Sequence, residues 1–210
     1  MDQLPIGRLL RANAKICVVG CSSQQTIPAM GMIVKIPIPQ IDIFGVIYDM
    51  RINDDGVVRQ LSVAGDLPDE VLQDNLNNRN APIEISIAFV GYIQNDVVMH
   101  MLPPHPPLSL EKIYYCDEDE IRAFTDPART RYIRHLLTLE DAPIPDLVAK
   151  HLSTAVSAQH EEFRSGWINA AMHTTIQLVK DNPALLIPVL NALADAFPEI
   201  QIDATGEYSW

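Results

Sequence analysis

Six histidines and three cysteines are the side chains in this 210-residue sequence best suited to hold a metal ion or move a proton. Their spacing argues against both roles. His151 and His160 are nine apart, and at ~100° per residue a helix carrying both would set them on opposite faces. His160-Glu161-Glu162 begins as a zinc-protease helix begins, but Arg164 stands where the second histidine is required. His100 lies between Met99 and Met101 in a strand pattern and His105 lies among prolines, so both read as half-exposed surface residues. His173 follows Met172 in a helical run and reads as partly buried with a polar partner. Cys17 and Cys21 fall in an extended run, where a rise of ~3.3 Å per residue sets two thiols four apart at ~13 Å. Only a sharp bend at Gly20 would bring them together, and no second Cys or His pair stands near them.

The carboxylates Asp117, Glu118, Asp119 and Glu120 have the oxygen chemistry a hard cation wants, without the alternation and glycine of a calcium loop. They read as a solvated helix start. Asp54-Asp55-Gly56 reads as a hairpin turn. A nucleophile needs a base within hydrogen-bond reach, and Cys21, Ser22 and Ser23 have no histidine near them in sequence. No catalytic residue, metal ligand or cofactor is therefore expected. What remains is surface. Arg129, Arg131 and Arg134 cluster at a helix start, where they can meet an acidic partner or phosphates, or pair with Glu140 and Asp141. The aromatic end, Tyr208-Ser209-Trp210, is either a tail or an anchor of the kind that forms binding hot spots. Arg129, Arg131, Arg134, Tyr208 and Trp210 are the candidate partner contacts.

The elements that must position these residues change character along the chain. Short runs of Val and Ile at 15–19, 32–38 and 41–50 read as strands. Over 82–93, Ile83, Ile85, Ile87 and Phe89 alternate with Glu84, Ser86 and Ala88, the period that puts one strand face in a core. Asn95 and Asp96 predict a tight turn into a further strand at 97–102. Glycines at 7, 20, 31, 45 and 91 suit the bends of a small sheet that curls on itself, so a closed or nearly closed barrel is expected. Asp66, Pro68 and the acidic residues after them predict a short helix inserted among the strands.

Pro-Pro-His-Pro-Pro at 103–107 cannot enter a sheet interior and marks a change. From Pro127 onward the apolar spacing is helical: Ile133, Leu136 and Leu137; then Leu147, Val148, Leu152, Ala155 and Val156; then Phe163, Trp167, Ala170 and Ala171. A last helix starts at Asn182-Pro183 and runs toward Phe197, with Pro188 inside it. The expected organisation is α+β: a β-barrel of about six strands over 1–105, a Pro-rich and acidic linker over 106–126, and an all-α domain over 127–210.

Charge narrows the partners. Fifteen basic against twenty-seven acidic residues give −12 and a pI near 4.7. The first 120 residues hold eight basic and sixteen acidic residues, so neither part is basic. Broad, direct nucleic-acid binding needs Lys and Arg along the surface and is disfavoured. The composition is 48% hydrophobic and 20% charged, that of a folded protein. No run of ~20 apolar residues predicts a membrane span, and three cysteines without a secretory leader fit a reducing, cytoplasmic setting.

Ile6-Gly7-Arg8-Leu9-Leu10, Met30-Gly31-Met32-Ile33-Val34-Lys35-Ile36 and Ile43-Phe44-Gly45-Val46-Ile47-Tyr48-Asp49-Met50 together resemble the HAS barrel. That is the small N-terminal barrel of HerA-type DNA translocases and of the rotary ATP synthase α and β subunits. The resemblance covers roughly residues 4–125 and implies a six-strand barrel that docks within a larger machine. The ATPase of such translocases does not carry over: no glycine here is followed by lysine, as a phosphate loop requires, and the remaining residues are patterned as helices. The expected function is therefore a non-enzymatic assembly module, an accessory of a DNA-processing translocase or nuclease system that contacts another protein or its own copies. The alternatives are an enzyme with a site between barrel and helices, drawing on Asp49, His100 or His173, and a structural subunit of a homo-oligomer.

Overall fold

The computed structural model describes residues 4–22, 28–52, 82–202 and 208–209. Seven strands form one antiparallel sheet: β1 Gly7–Ala12, β2 Ile16–Ser22, β3 Ile33–Ile38, β4 Ile41–Ile52, β5 Pro82–Gln94, β6 Val97–Met99 and β7 Lys112–Tyr115. Their order is β2-β1-β7-β3-β4-β5-β6, and β2 also pairs with β5 along Ile16–Ser22. That second pairing closes six strands into a barrel, with β6 appended to β5 by the expected turn. Asn95 and Asp96 take φ of 50° and 61°, the left-handed pair that matches the twist of a two-residue hairpin. The helix expected near Asp66 and the turn at 54–56 lie outside the described residues.

The alternation in β5 does what a period of two demands. Ile83, Ile85, Ile87 and Phe89 enter the barrel interior with Leu9, Val19, Val34, Ile36, Ile43, Ile47 and Ile113. From Ala88 onward the other face of β5 is buried as well. Ala88 and Val90, with Ile33, Phe44 and Val46 of β3 and β4, form the floor of a second core that the helices cover. One outer wall of the barrel is thus a helix-packing surface.

The helical part comprises α1 Glu118–Phe124, a 3₁₀ turn Pro127–Tyr132, α2 Ile133–Leu136, α3 Ile144–Ser157, α4 Glu161–Val179 and α5 Pro183–Ala196. Two short strands follow, β8 Gln201–Ile202 and β9 Tyr208–Ser209, paired antiparallel. The acidic run expected to open a helix does so. The Asp117 side chain accepts from the Glu120 backbone N–H while the Glu120 side chain accepts from the Asp117 N–H, a reciprocal cap. At the C-terminal end of α3, Arg164 donates to the Ser157 and Gln159 carbonyls and Arg122 to the Ala158 carbonyl, satisfying the acceptors of the turn that leaves the helix. Among the described residues, no helix is long and apolar enough to cross a membrane.

The stretch expected to be a linker, 106–126, is more than a connection. It carries β7, which pairs with β1 on one side and β3 on the other, so the sheet extends past residue 105. It also carries α1, whose Phe124 stacks on Phe44 of β4 with ring centroids 4.5 Å apart. The strand was hidden because it is only four residues long and buries a single apolar side chain fully, Ile113, which gives alternation nothing to repeat.

Candidate functional site

The seam between barrel and helices holds the most elaborate polar arrangement. His151 of α3 is fully buried, and its Nδ1 lies 2.9 Å from the Gly31 carbonyl while its Nε2 lies 2.8 Å from the Tyr132 hydroxyl. A carbonyl can only accept, so Nδ1 carries the hydrogen and the neutral ring accepts the Tyr132 O–H at Nε2. Burial lowers the His151 pKa to about 4 and raises that of Tyr132. The pair is locked in one protonation state, suited to joining elements and not to exchanging protons near neutrality.

Gly31 is held against this pair by geometry that excludes a side chain. Its φ is +90°, and a Cβ there would stand 2.7 Å from the His151 backbone nitrogen. The glycine that precedes β3 is therefore the point where barrel backbone meets helix backbone. Gly45 in β4 is similarly close-packed: a Cβ would lie 2.3 Å from Cγ2 of Ile87, beside a register shift in the β4–β5 pairing.

His100, read from sequence as a half-exposed surface residue, is half-buried and belongs to the same seam. Its Nε2–H donates to the Phe124 carbonyl at 2.8 Å, and its ring meets Phe124 and Tyr132 edge-on at 4.8 and 5.1 Å. Arg134 reaches from α2 to the His100 carbonyl and donates to Arg131's carbonyl at 3.0 Å. One expected partner contact is thus turned inward, where it ties the segment after β6 to the helices.

The other expected residues scatter. Arg131 is exposed, and Arg129 lies in the 3₁₀ turn with its side chain outside the described residues. Tyr208 pairs through its backbone with Ile202, which gives the chain's end a strand, and Trp210 lies outside the described residues. Of the three residues named for an enzymatic site, Asp49 pairs with Arg51 at 2.9 Å, His100 sits in the seam, and His173 lies on α4. His173 is exposed and not partly buried as expected, because the apolar positions of α4 that reach the core are Trp167, Ile168, Ala171, Met172, Ile176 and Val179. Cys17 lies inside the barrel, where burial pushes its thiol up to about 12. Among the described residues, no group of three or more His, Cys, Asp or Glu is placed to hold a metal ion.

Among the described residues, two of the hollows lie against the barrel. One, of about 430 Å³, lies between barrel and helices, with Ile16, Tyr48 and Leu139 as its apolar wall and Lys15 and Glu140 at its rim. The other, of about 690 Å³, is an open groove on the outer barrel surface beside Lys112, lined also by Leu4, Lys35, Asp42 and Tyr114.

Next to that groove lies a feature outside the sequence-based expectations. Residues 108–111 run as a strap along β1: Leu110 N–H donates to the Leu9 carbonyl at 2.8 Å, Leu9 N–H to the Glu111 carbonyl at 2.9 Å, and the Arg8 guanidinium to the Leu110 carbonyl at 3.0 Å. The Ser109 hydroxyl adds a bond to the Leu10 carbonyl. In this setting Leu10, Leu108 and Leu110 are 45%, 75% and 66% exposed. Leu110 takes a φ of 72°, a left-handed conformation costly for a leucine. The sequence signal was the Leu9-Leu10 doublet: in a strand with one buried face, adjacent leucines cannot both turn inward.

Compared with known proteins, the chain matches no protein-family model and no curated protein sequence.

Proposed function

We propose that this chain is a non-enzymatic assembly module of the HAS-barrel kind, which docks another protein surface through the outer wall of β1 and its strap. The observation that carries the reading is Leu110. A leucine in the left-handed region costs on the order of 1–3 kcal/mol, and such strain persists where its surroundings fix it and clusters at functional positions. Here the strap's hydrogen bonds fix it so that leucines face solvent. An exposed apolar cluster with a polar rim is the usual form of a protein-contact site.

Several features support the wider setting. The glycines of the HAS-like motifs, Gly31 and Gly45, occupy close-approach positions that a side chain would disrupt. The helices share a core with the barrel, which suits a chain that holds and orients a partner. With a charge of −12 it leaves DNA contacts to the translocase or nuclease it serves. The test is affinity capture from the native host with wild-type chain and with a Leu108→Ser/Leu110→Ser variant. The reading expects a specific protein held by the wild type and lost from the variant at unchanged thermal stability; capture indifferent to the substitutions removes it.

A further inference from the structure

We propose that the joint between barrel and helices is an acid-opened latch: protonation of His151 releases the helical layer from the outer wall of the barrel while the barrel itself stays closed.

The latch is one imidazole with no place for a second proton. Both ring nitrogens of the fully buried His151 are engaged, Nδ1–H donating to the Gly31 carbonyl and Nε2 accepting from the Tyr132 hydroxyl. A proton added at Nε2 sets one donor against another. The hydroxyl must then turn its hydrogen away, and among the described residues His151 is its one hydrogen-bond partner.

No carboxylate stands by to stabilise the imidazolium. The turn 28–32 holds no ionisable side chain. The charges of α3 and α5, Asp146, Lys150 and Asp195, are exposed, as are Glu161, Glu162, Arg164 and His173 of α4 and Arg131 of the 3₁₀ turn. Around Tyr132 the seam adds His100, Arg134 and His135, with the His135 Nε2 3.4 Å from the His100 carbonyl. Burial lowers the His151 pKa from 6.5 to about 4 and also lowers that of His135, with Arg134 acting the same way. Opening therefore takes up protons. The closed form is fully favoured above pH 6.5, and acidification to pH 4 favours the open form by ~300-fold through His151.

The chain can open here without emptying the barrel, because it has two apolar clusters. Ile33, Phe44, Val46, Ala88 and Val90 of the outer wall share one with the helices. The barrel interior, with Leu9, Val19, Ile36, Ile47 and Ile85, is the other, and the β2–β5 pairing closes it. Such a division lets one layer open below the threshold of global unfolding. The Lys35–Glu120 ion pair also crosses from barrel to helices, but it ties down α1 and not α3.

The experiment is hydrogen–deuterium exchange of the full chain, read by mass spectrometry from pH 7 to pH 4 with labelling times corrected for intrinsic exchange. Protection in α3 and α5 is expected to fall about 300-fold while β2 and β5 keep theirs. His151→Gln, uncharged at every pH, is expected to reduce the fall to less than about tenfold. Tyr132→Phe keeps the imidazole and removes its donor, so its helices are expected to open at higher pH than those of the wild type. Helices and barrel losing protection together, or helices still protected at pH 4, overturn the proposal. So does a full response in His151→Gln, or a Tyr132→Phe chain that opens at the wild-type pH.

Discussion

Tyr132 and His151 form a single hydrogen bond, 2.8 Å from hydroxyl to Nε2, that joins the turn before α2 to the helix seated on the barrel. Because the far side of the same imidazole donates to the Gly31 carbonyl, one ring connects barrel, 3₁₀ turn and α3. Removing the hydroxyl in Tyr132→Phe leaves a buried ring nitrogen without its donor. The expected cost is about 1–3 kcal/mol, read as a shift of the urea midpoint at unchanged m-value.

The same imidazole sets a pH dependence. Its folded pKa of about 4 lies below the ordinary value of 6.5, so the unfolded chain binds the proton first. Stability is full above pH 6.5 and falls as pH drops toward 4, by about 3 kcal/mol. Burial lowers the His135 pKa as well, which adds in the same direction. Other groups also titrate in this range, so the check is the difference between wild type and His151→Gln in urea midpoints from pH 7 to pH 4. The wild type should lose more stability on acidification than the variant.

Glycine substitutions should divide by sign. Gly31→Ala places a Cβ against the α3 backbone at a φ of +90° and is expected to destabilise by on the order of 3 kcal/mol. Gly166→Ala, at the end of the exposed run 161–166 that opens α4 and with nothing within 4 Å of the new atom, is expected to stabilise by roughly 0.5–1 kcal/mol. Thermal melts of the two variants side by side check both directions.

Arg134 and Arg131 look equivalent in sequence and are not. Arg134 is half-buried and donates to two carbonyls, so Arg134→Ala should cost about 1 kcal/mol. Arg131 is exposed, and its alanine variant should fall within about 0.5 kcal/mol of wild type. Denaturation curves of both variants decide it.

Thiol accessibility follows burial. Cys17 is pushed up to about 12 and Cys116 is also raised by burial, so neither presents a thiolate at pH 8 in the native state. Ellman's reagent should react slowly with both in the folded protein and at once with all three cysteines in urea.

The barrel was legible because β5 writes its alternation in full, and because Asn95-Asp96 marks its hairpin. The capped start of α1 was legible for the same kind of reason, local chemistry at a fixed offset. What escaped depends on partners distant in sequence. β7 is recognisable only once β1 and β3 stand on either side of it. Arg134 looks solvated until the His100 carbonyl, 34 residues away, is placed beside it. The strap is a loop by composition, and its outward leucines become conspicuous only when β1 is seen to leave Leu10 outside the barrel.

Lysine-directed cross-linking of the wild-type chain in native-host extract bears most directly on the strap as a protein-contact site. Lys112 is exposed beside the strap, whereas Lys150 and Lys180 are exposed on the helices. Intermolecular links should concentrate at Lys112 and disappear in the Leu108→Ser/Leu110→Ser variant. Links at Lys150 and Lys180 with none at Lys112, or links at Lys112 that persist in the variant, would contradict a contact surface on this wall of the barrel.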